Sequence, residues 1–97
     1  MIFLDSETQQ LFDESLKMLD ELLTDFSIPR NIRKNIQNIR TKLASDKTPI
    51  DVRAASSVIS LDEIVNDPNM PPHARTAVYM IMGKLEIVQK KTSGSNN

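Results

Sequence analysis

The chain has 97 residues, 39% apolar and 26% charged, with a formal net charge of −1 and no cysteine. That balance excludes a disulfide or thiolate-metal framework and gives no global pull toward nucleic acid or an anionic membrane. The longest apolar run, Ala77 to Met82, falls far short of a membrane span, and Met1 to Leu4 is too short for a signal peptide.

Taken in chain order, four helices are predicted. The first starts at Ser6, where Ser6 and Gln9 have the spacing of a capping box. Phe12, Leu16, Leu19, Leu23 and Phe26 follow at the steps of four and three that make one helical face, widened by Leu11, Met18 and Leu22. The second carries Ile32, Ile36, Ile39 and Leu43 at the same steps. A polar break at Ser45 to Thr48 follows, with Thr48 read as the N-cap of a third helix and Pro49 as its first residue. Its stripe is Ile50, Ala54, Ser57 or Val58, Leu61 and Val65. The fourth helix has Ala74, Val78, Ile81, Leu85 and Val88. One helical domain therefore spans residues 1–89, and residues 90–97, which lack apolar side chains, form a disordered tail.

The sequence repeats. Leu19 to Asp25 returns as Leu61 to Asp67, 42 residues on, and Pro29, Arg33, Ile39 and Lys42 align with Pro71, Arg75, Ile81 and Lys84. A unit of about 40 residues is the length of an αα-hairpin repeat, here at residues 6–45 and 48–88. Short corners make the neighbouring helices antiparallel, and the residues before proline, Ile28 and Met70, belong at the caps. The expected fold is all-α: a four-helix up-and-down bundle built from two duplicated αα-hairpins. An open two-repeat stack is disfavoured, because such arrays need about three repeats to bury a core.

Both corners carry aspartate, proline and arginine at intervals of four: Asp25, Pro29, Arg33 and Asp67, Pro71, Arg75. Proline starts a helix, aspartate suits the helix's positive N-terminus, and arginine one turn on points back at the corner. A carboxylate–guanidinium pair within or between corners is the expected structural role.

Two stretches, Ile28 to Arg33 and Val52 to Thr76, resemble the signature segments of a family of short, uncharacterised archaeal proteins. The resemblance covers residues 7–88. It implies an all-helical, four-helix-bundle protein with no assigned activity. Residues 61–85 also resemble the second half of a HEAT-type helical repeat, which implies a binding scaffold and assigns no residue roles.

Chemistry is sparse. His73 is the only histidine, reads as a surface or capping group, and has Asp67 as its one nearby acidic candidate. The glycines, Gly83 and Gly94, are too far apart for a phosphate loop, so Gly83 reads as a site of close helix approach. Carboxylate doublets such as Asp13–Glu14, Asp20–Glu21 and Asp62–Glu63 point about 100° apart on a helix and are solvated faces. Serines have no general base beside them in sequence. No catalytic residue, cofactor, metal or small-molecule substrate is expected, and the protein reads as non-enzymatic.

Charge and surface give the remaining clues. Residues 5–25 hold seven acidic side chains against Lys17, while residues 27–44 hold Arg30, Arg33, Lys34, Arg40 and Lys42 with no acid. The acidic helix neutralising its basic neighbour is the first explanation; nucleic-acid contact through Arg30, Arg33, Lys34 and Arg40 is the second. Apolar residues also lie off the core stripes: Val52, Ala55 and Ile59 on the third helix, Tyr79, Met80, Met82 and Ile87 on the fourth, of which Val52, Ile59, Tyr79, Met82 and Ile87 are the interface candidates. Either the Met1–Leu4 segment covers them or they form a protein interface. The expectation is a cytoplasmic interaction or adaptor module that self-associates as a homodimer or binds another protein through the third and fourth helices. The alternative is a nucleic-acid- or ribonucleoprotein-associated factor.

Overall fold

Proline decides where three of the four helices begin. Pro29, Pro49 and Pro71 each stand at an N-cap with extended backbone, and each carbonyl accepts the amide of an arginine four residues on: Arg33, Arg53 and Arg75. A proline ring fixes φ and lacks the amide that a helix start leaves unpaired, so helices start there at little cost. The computed structural model describes residues 4–93, in four helices: α1 (Ser6–Leu23), α2 (Arg30–Ala44), α3 (Ile50–Val65) and α4 (Pro72–Thr92).

The helices form a closed ring in which each packs on its two neighbours: α1 on α2 and α4, α3 on α2 and α4. The contact of α1 with α4 is what an open stack lacks. Corners Asp25–Pro29 and Asp67–Pro71 meet at one end through His73, while Lys91 near the end of α4 reaches Glu7 near the start of α1 at the other. This is the up-and-down order expected from short connections.

Core positions follow the sequence stripes closely in α2 and α4. Ile32, Ile36, Ile39 and Leu43 are buried, as are Ala74, Val78, Ile81, Leu85 and Val88. In α3 the open choice resolves to Ser57, which is buried, with Val58 packed at the edge. Ile28 and Met70 are buried at the two corners and close that end of the core. Shortening any of these large side chains removes both transfer energy and packing, about 2–5 kcal/mol for isoleucine or leucine to alanine.

α1 departs from its expected stripe. Leu19 and Leu22 are buried together with Thr8 and Ser15, whereas Phe12, Leu16 and Leu23 are only partly so. Ser15 satisfies its hydroxyl on the Leu11 carbonyl at 2.9 Å. Phe26 is 81% exposed: α1 ends at Leu23, so the helical phase no longer governs it. Its ring instead lies under the Arg33 guanidinium, 4.8 Å from the ring centre.

Three boundary expectations change. Asp5, not Ser6, caps α1, its carboxylate accepting the Thr8 amide at 2.7 Å, so the Ser6–Gln9 box does not form. Pro49 rather than Thr48 is the N-cap of α3. α4 continues through Thr92, so residues 90–92, expected in a disordered tail, are helical; residues 94–97 lie outside those described. Leu4 packs against the core, while Met1 to Phe3, the rest of the segment expected to cover apolar surface, lie outside the described residues.

The corner arginines do not pair with the corner aspartates. Arg33 Nε donates to the Ile28 carbonyl at 3.1 Å, and an Arg75 terminal nitrogen donates to the Asp67 carbonyl at 3.0 Å. The carboxylates close their own turns: Asp25 accepts the Ser27 amide and Asp67 the Asn69 amide, at 3.0 and 2.8 Å. Each group takes the partner its turn brings nearest. The third connection uses the same device, because Arg53 donates to the Thr48 carbonyl at 2.8 Å and to the Leu43 carbonyl at 2.7 Å.

Candidate functional site

Three places concentrate polar or apolar groups beyond what the core requires: the end where the two corners meet, the basic face of α2, and the outer faces of α3 and α4.

At the first, His73 Nε2–H donates to Asp25 Oδ2 at 2.7 Å, and Ser27 Oγ–H donates to Asp25 Oδ1 at 2.5 Å. Nε2 also lies 3.3 Å from Ser27 Oγ. The histidine's carboxylate is thus Asp25 of the other corner, not Asp67. Ser27 and His73 hold the Asp25 carboxyl down to about 2 from its ordinary 3.8, the Ser27 hydroxyl being the larger cause and its amide adding to both. Serine, histidine and aspartate are together, yet not as a nucleophile relay. That chemistry needs histidine between hydroxyl and carboxylate, each on its own ring nitrogen. Here the hydroxyl proton goes directly to the carboxylate, so Ser27 has no base. The cluster is a clamp between corners.

On α2 the four arginine and lysine candidates separate. Arg40 grips Asp20 of α1 with two nitrogens, at 2.8 and 3.1 Å, which raises the guanidinium's pKa and lowers that of the carboxyl. Side chains lean toward their own helix N-terminus, so across antiparallel helices Asp20 and Arg40 lean toward each other. Arg33 is committed to Ile28 and Phe26. Arg30 and Lys34 meet no carboxylate among the described residues. Neutralisation of α1 comes mainly from α4: Lys84 pairs with Glu14 at 2.9 Å, and Lys91 with Glu7 at 2.6 Å and Asp5 at 3.5 Å. Sequence charge runs identified the acidic helix but not its principal partner.

On the outer faces, Val52, Ile59, Tyr79 and Ile87 are exposed, and Met80 joins them. Met82, the fifth interface candidate, packs partly against the core and contributes only an edge. Along α4, Tyr79, Met80, Gly83 and Ile87 recur at helical spacing on the side opposite the core stripe. Gly83 lies in the middle of that face, and a Cβ placed there meets nothing within 4 Å. The close helix approach expected at Gly83 therefore does not occur among the described residues. Among the described residues no set of three or more histidine, cysteine or acidic side chains could hold a metal ion, and no helix is long and apolar enough to cross a membrane.

Residues 3–88 match the uncharacterised protein family UPF0147. The chain belongs to that family. A UPF0147 protein of Thermoplasma volcanium is 45% identical over 82 residues, which span 84% of this chain and 92% of the relative. One from Methanocaldococcus jannaschii is 38% identical over 93 residues, spanning 92% and 100%. The fold is similar to the crystal structure of a UPF0147 protein from Thermoplasma acidophilum, with a TM-score of 0.80 at 43% identity, covering 84% of this chain and 96% of that one. A solved protein of unknown function, MMP1188, gives a TM-score of 0.76 at 34% identity, with 89% and 96% covered. The resemblance to an archaeal all-helical family is thereby established, and with it the four-helix fold. UPF0147 membership assigns no chemistry to any of the three places described above.

Proposed function

We propose that this UPF0147 chain is a non-enzymatic interaction module of the cytoplasm that self-associates through the outer faces of α3 and α4. The observation that carries the reading is Gly83. Glycine in a helix interior costs about 1 kcal/mol relative to alanine, and nothing among the described residues makes use of its missing side chain. A second helix crossing there would. A two-fold axis through Gly83 would set Tyr79 of one copy against Ile87 of the other and repeat the contact, the self-matching that closed dimers require. Met80 adapts to either shape, and Ile59 and Val52 extend the apolar area onto α3.

Sedimentation velocity across a concentration series tests this, with Tyr79→Glu and Ile87→Glu as variants. A dimer that dissociates in both variants while helical content is kept supports the reading. A monomer at about 1 mM, the weakest self-association worth the name, removes it.

A nucleic-acid-associated role is the second reading, favoured by Arg30 and Lys34 meeting no carboxylate. It is the poorer one, since Arg33 and Arg40 are already engaged and the phosphate contacts left are few. Binding to a single-stranded RNA that fades as salt rises, and is lost in Arg30→Glu/Lys34→Glu, would make it the first.

A further inference from the structure

A groove of about 590 Å³ runs between α2 and α3, away from the outer face of α4, and is of a different chemical character. Its floor includes Ile39, Ile64 and Ser57, all buried within the bundle. Asn35 and Asn38 of α2 stand on one wall, Ser56 and Ser60 of α3 on the other. None of these four side chains is hydrogen-bonded to another described residue. The ends differ in sign. Lys42 and Lys47 lie where α2 runs into α3; Glu63 and Asp67 lie at the far end of α3.

Ser57 puts a polar group on the groove's otherwise apolar floor. It is 4% exposed, lines the groove, and has no hydrogen-bond partner among the described residues. Its oxygen is not one of the buried polar atoms left without a partner, so it opens onto the groove; elsewhere in the fold Ser15 and Thr92 instead bond a carbonyl one turn back. Ser57 forgoes that bond and lies on the groove floor.

We propose that this groove binds an extended peptide segment with a cationic side chain over Glu63 and Asp67 and an anionic one over Lys42 and Lys47. Amide and hydroxyl walls suit an extended chain, whose main-chain donors and acceptors need partners, whereas a docked helix has satisfied its own and would want an apolar trough. From the level of Val52 to Glu63 on α3 is roughly 16 Å at 1.5 Å per residue, which takes roughly five residues of extended chain. Ser57 bonds the middle of that segment. Nucleic acid fits less well: the acidic end repels phosphate, and no aromatic ring lines the groove for a base to stack on. The inference rests on the α2–α3 groove, which shares only Val52 with the face proposed for self-association.

The test uses the full chain and two fluorescent hexapeptides of one composition with blocked termini. One has lysine at its N-terminal end and glutamate at its C-terminal end; in the other they are exchanged, with serine and valine alternating between. One order is expected to bind about tenfold tighter than the other, the factor that 1.4 kcal/mol gives. The double variant Lys42→Glu/Glu63→Lys reverses the preference, and Ser57→Ala weakens the preferred peptide without lowering the melting temperature, having no bond within the chain to lose. Equal affinity for both orders, no binding at about 1 mM, or a preference unmoved by the charge exchange would overturn the proposal. So would an oligouridine that binds the groove and displaces the peptides. Should the double variant fail to fold, Lys42→Glu alone must still narrow the preference.

Discussion

His73 of the second corner donates Nε2–H to Asp25 of the first across 48 residues of sequence, at 2.7 Å. The bond ties the end of α1 to the start of α4, closing the bundle at a place where neither helix continues. Asp25 is held charged by Ser27 and His73, with its carboxyl lowered from 3.8 to about 2. A depressed folded-state value means that the unfolded chain takes up the proton more readily. The stabilisation is therefore complete above the ordinary value and disappears as pH falls through the folded one. Asp25→Asn should be less stable than the parent at neutral pH, and the difference should close between pH 3.8 and about 2. Urea midpoints at several pH values measure this. A gap that stays constant with pH would show that the carboxylate's charge contributes nothing.

Arg53 holds the connection between the two halves, reaching the carbonyls of both Leu43 and Thr48. The first is one of the orphan carbonyls that a helix C-terminus leaves without an intrahelical partner. Arg53→Met keeps the aliphatic stem and loses both charged hydrogen bonds. It should cost about 2 kcal/mol, within the range for bonds to charged groups. Arg53→Lys should restore only part of that, since one ammonium lacks the fixed fork that spans the two carbonyls. Equilibrium denaturation of the two variants gives the comparison; equal stability of parent and methionine variant would remove Arg53 from the account of how the loop is held.

How far these features could be read from the sequence depends on whether they are periodic. The stripes of α2 and α4 were legible residue by residue because every step is three or four. Phe26 was misplaced because the same arithmetic was carried past the end of α1. The third use of proline and arginine, Pro49 with Arg53, shows the same interval of four as the other two, but no aspartate four residues upstream of Pro49 drew attention to it. His73 with Asp25 had no such signal, since spacing along one helix says nothing about a partner on another. The α2–α3 groove was equally hidden: asparagine and serine on outward faces look like any solvated surface until two helices set them opposite each other.

Thr8 poses a simpler question of energetics. It is 1% exposed, and its hydroxyl makes no well-formed hydrogen bond to another described residue, although it lies close enough to the Asp5 carboxylate to help lower that carboxyl while its amide is capped by it. An unsatisfied buried hydroxyl costs about 1–3 kcal/mol. Valine has nearly the same shape and no polar group to bury. Thr8→Val should therefore raise stability, by about 1 kcal/mol, because the amide's bond to Asp5, the larger influence on that carboxyl, is kept and only the hydroxyl's smaller one is lost. Thermal denaturation reads this directly, and a destabilised variant would mean that the hydroxyl has a partner in solution.

Gly83→Ala separates folding from association because the two should move in opposite directions. Among the described residues the added methyl meets nothing within 4 Å. Alanine is the better helix former by about 1 kcal/mol, so the isolated bundle should gain that much stability. In a dimer that crosses at Gly83, two methyl groups face each other on the axis and hold the helices apart. The packing of Tyr79 on Ile87 is then loosened twice, once on each side. Association weaker by about tenfold, or 1.4 kcal/mol, is the expected result. Sedimentation for the dimer and urea melts at low concentration for the folded chain measure the two effects separately. If the variant is more stable and associates as well as the parent, the helices do not cross at Gly83, and the self-association proposed for α4 must use another face.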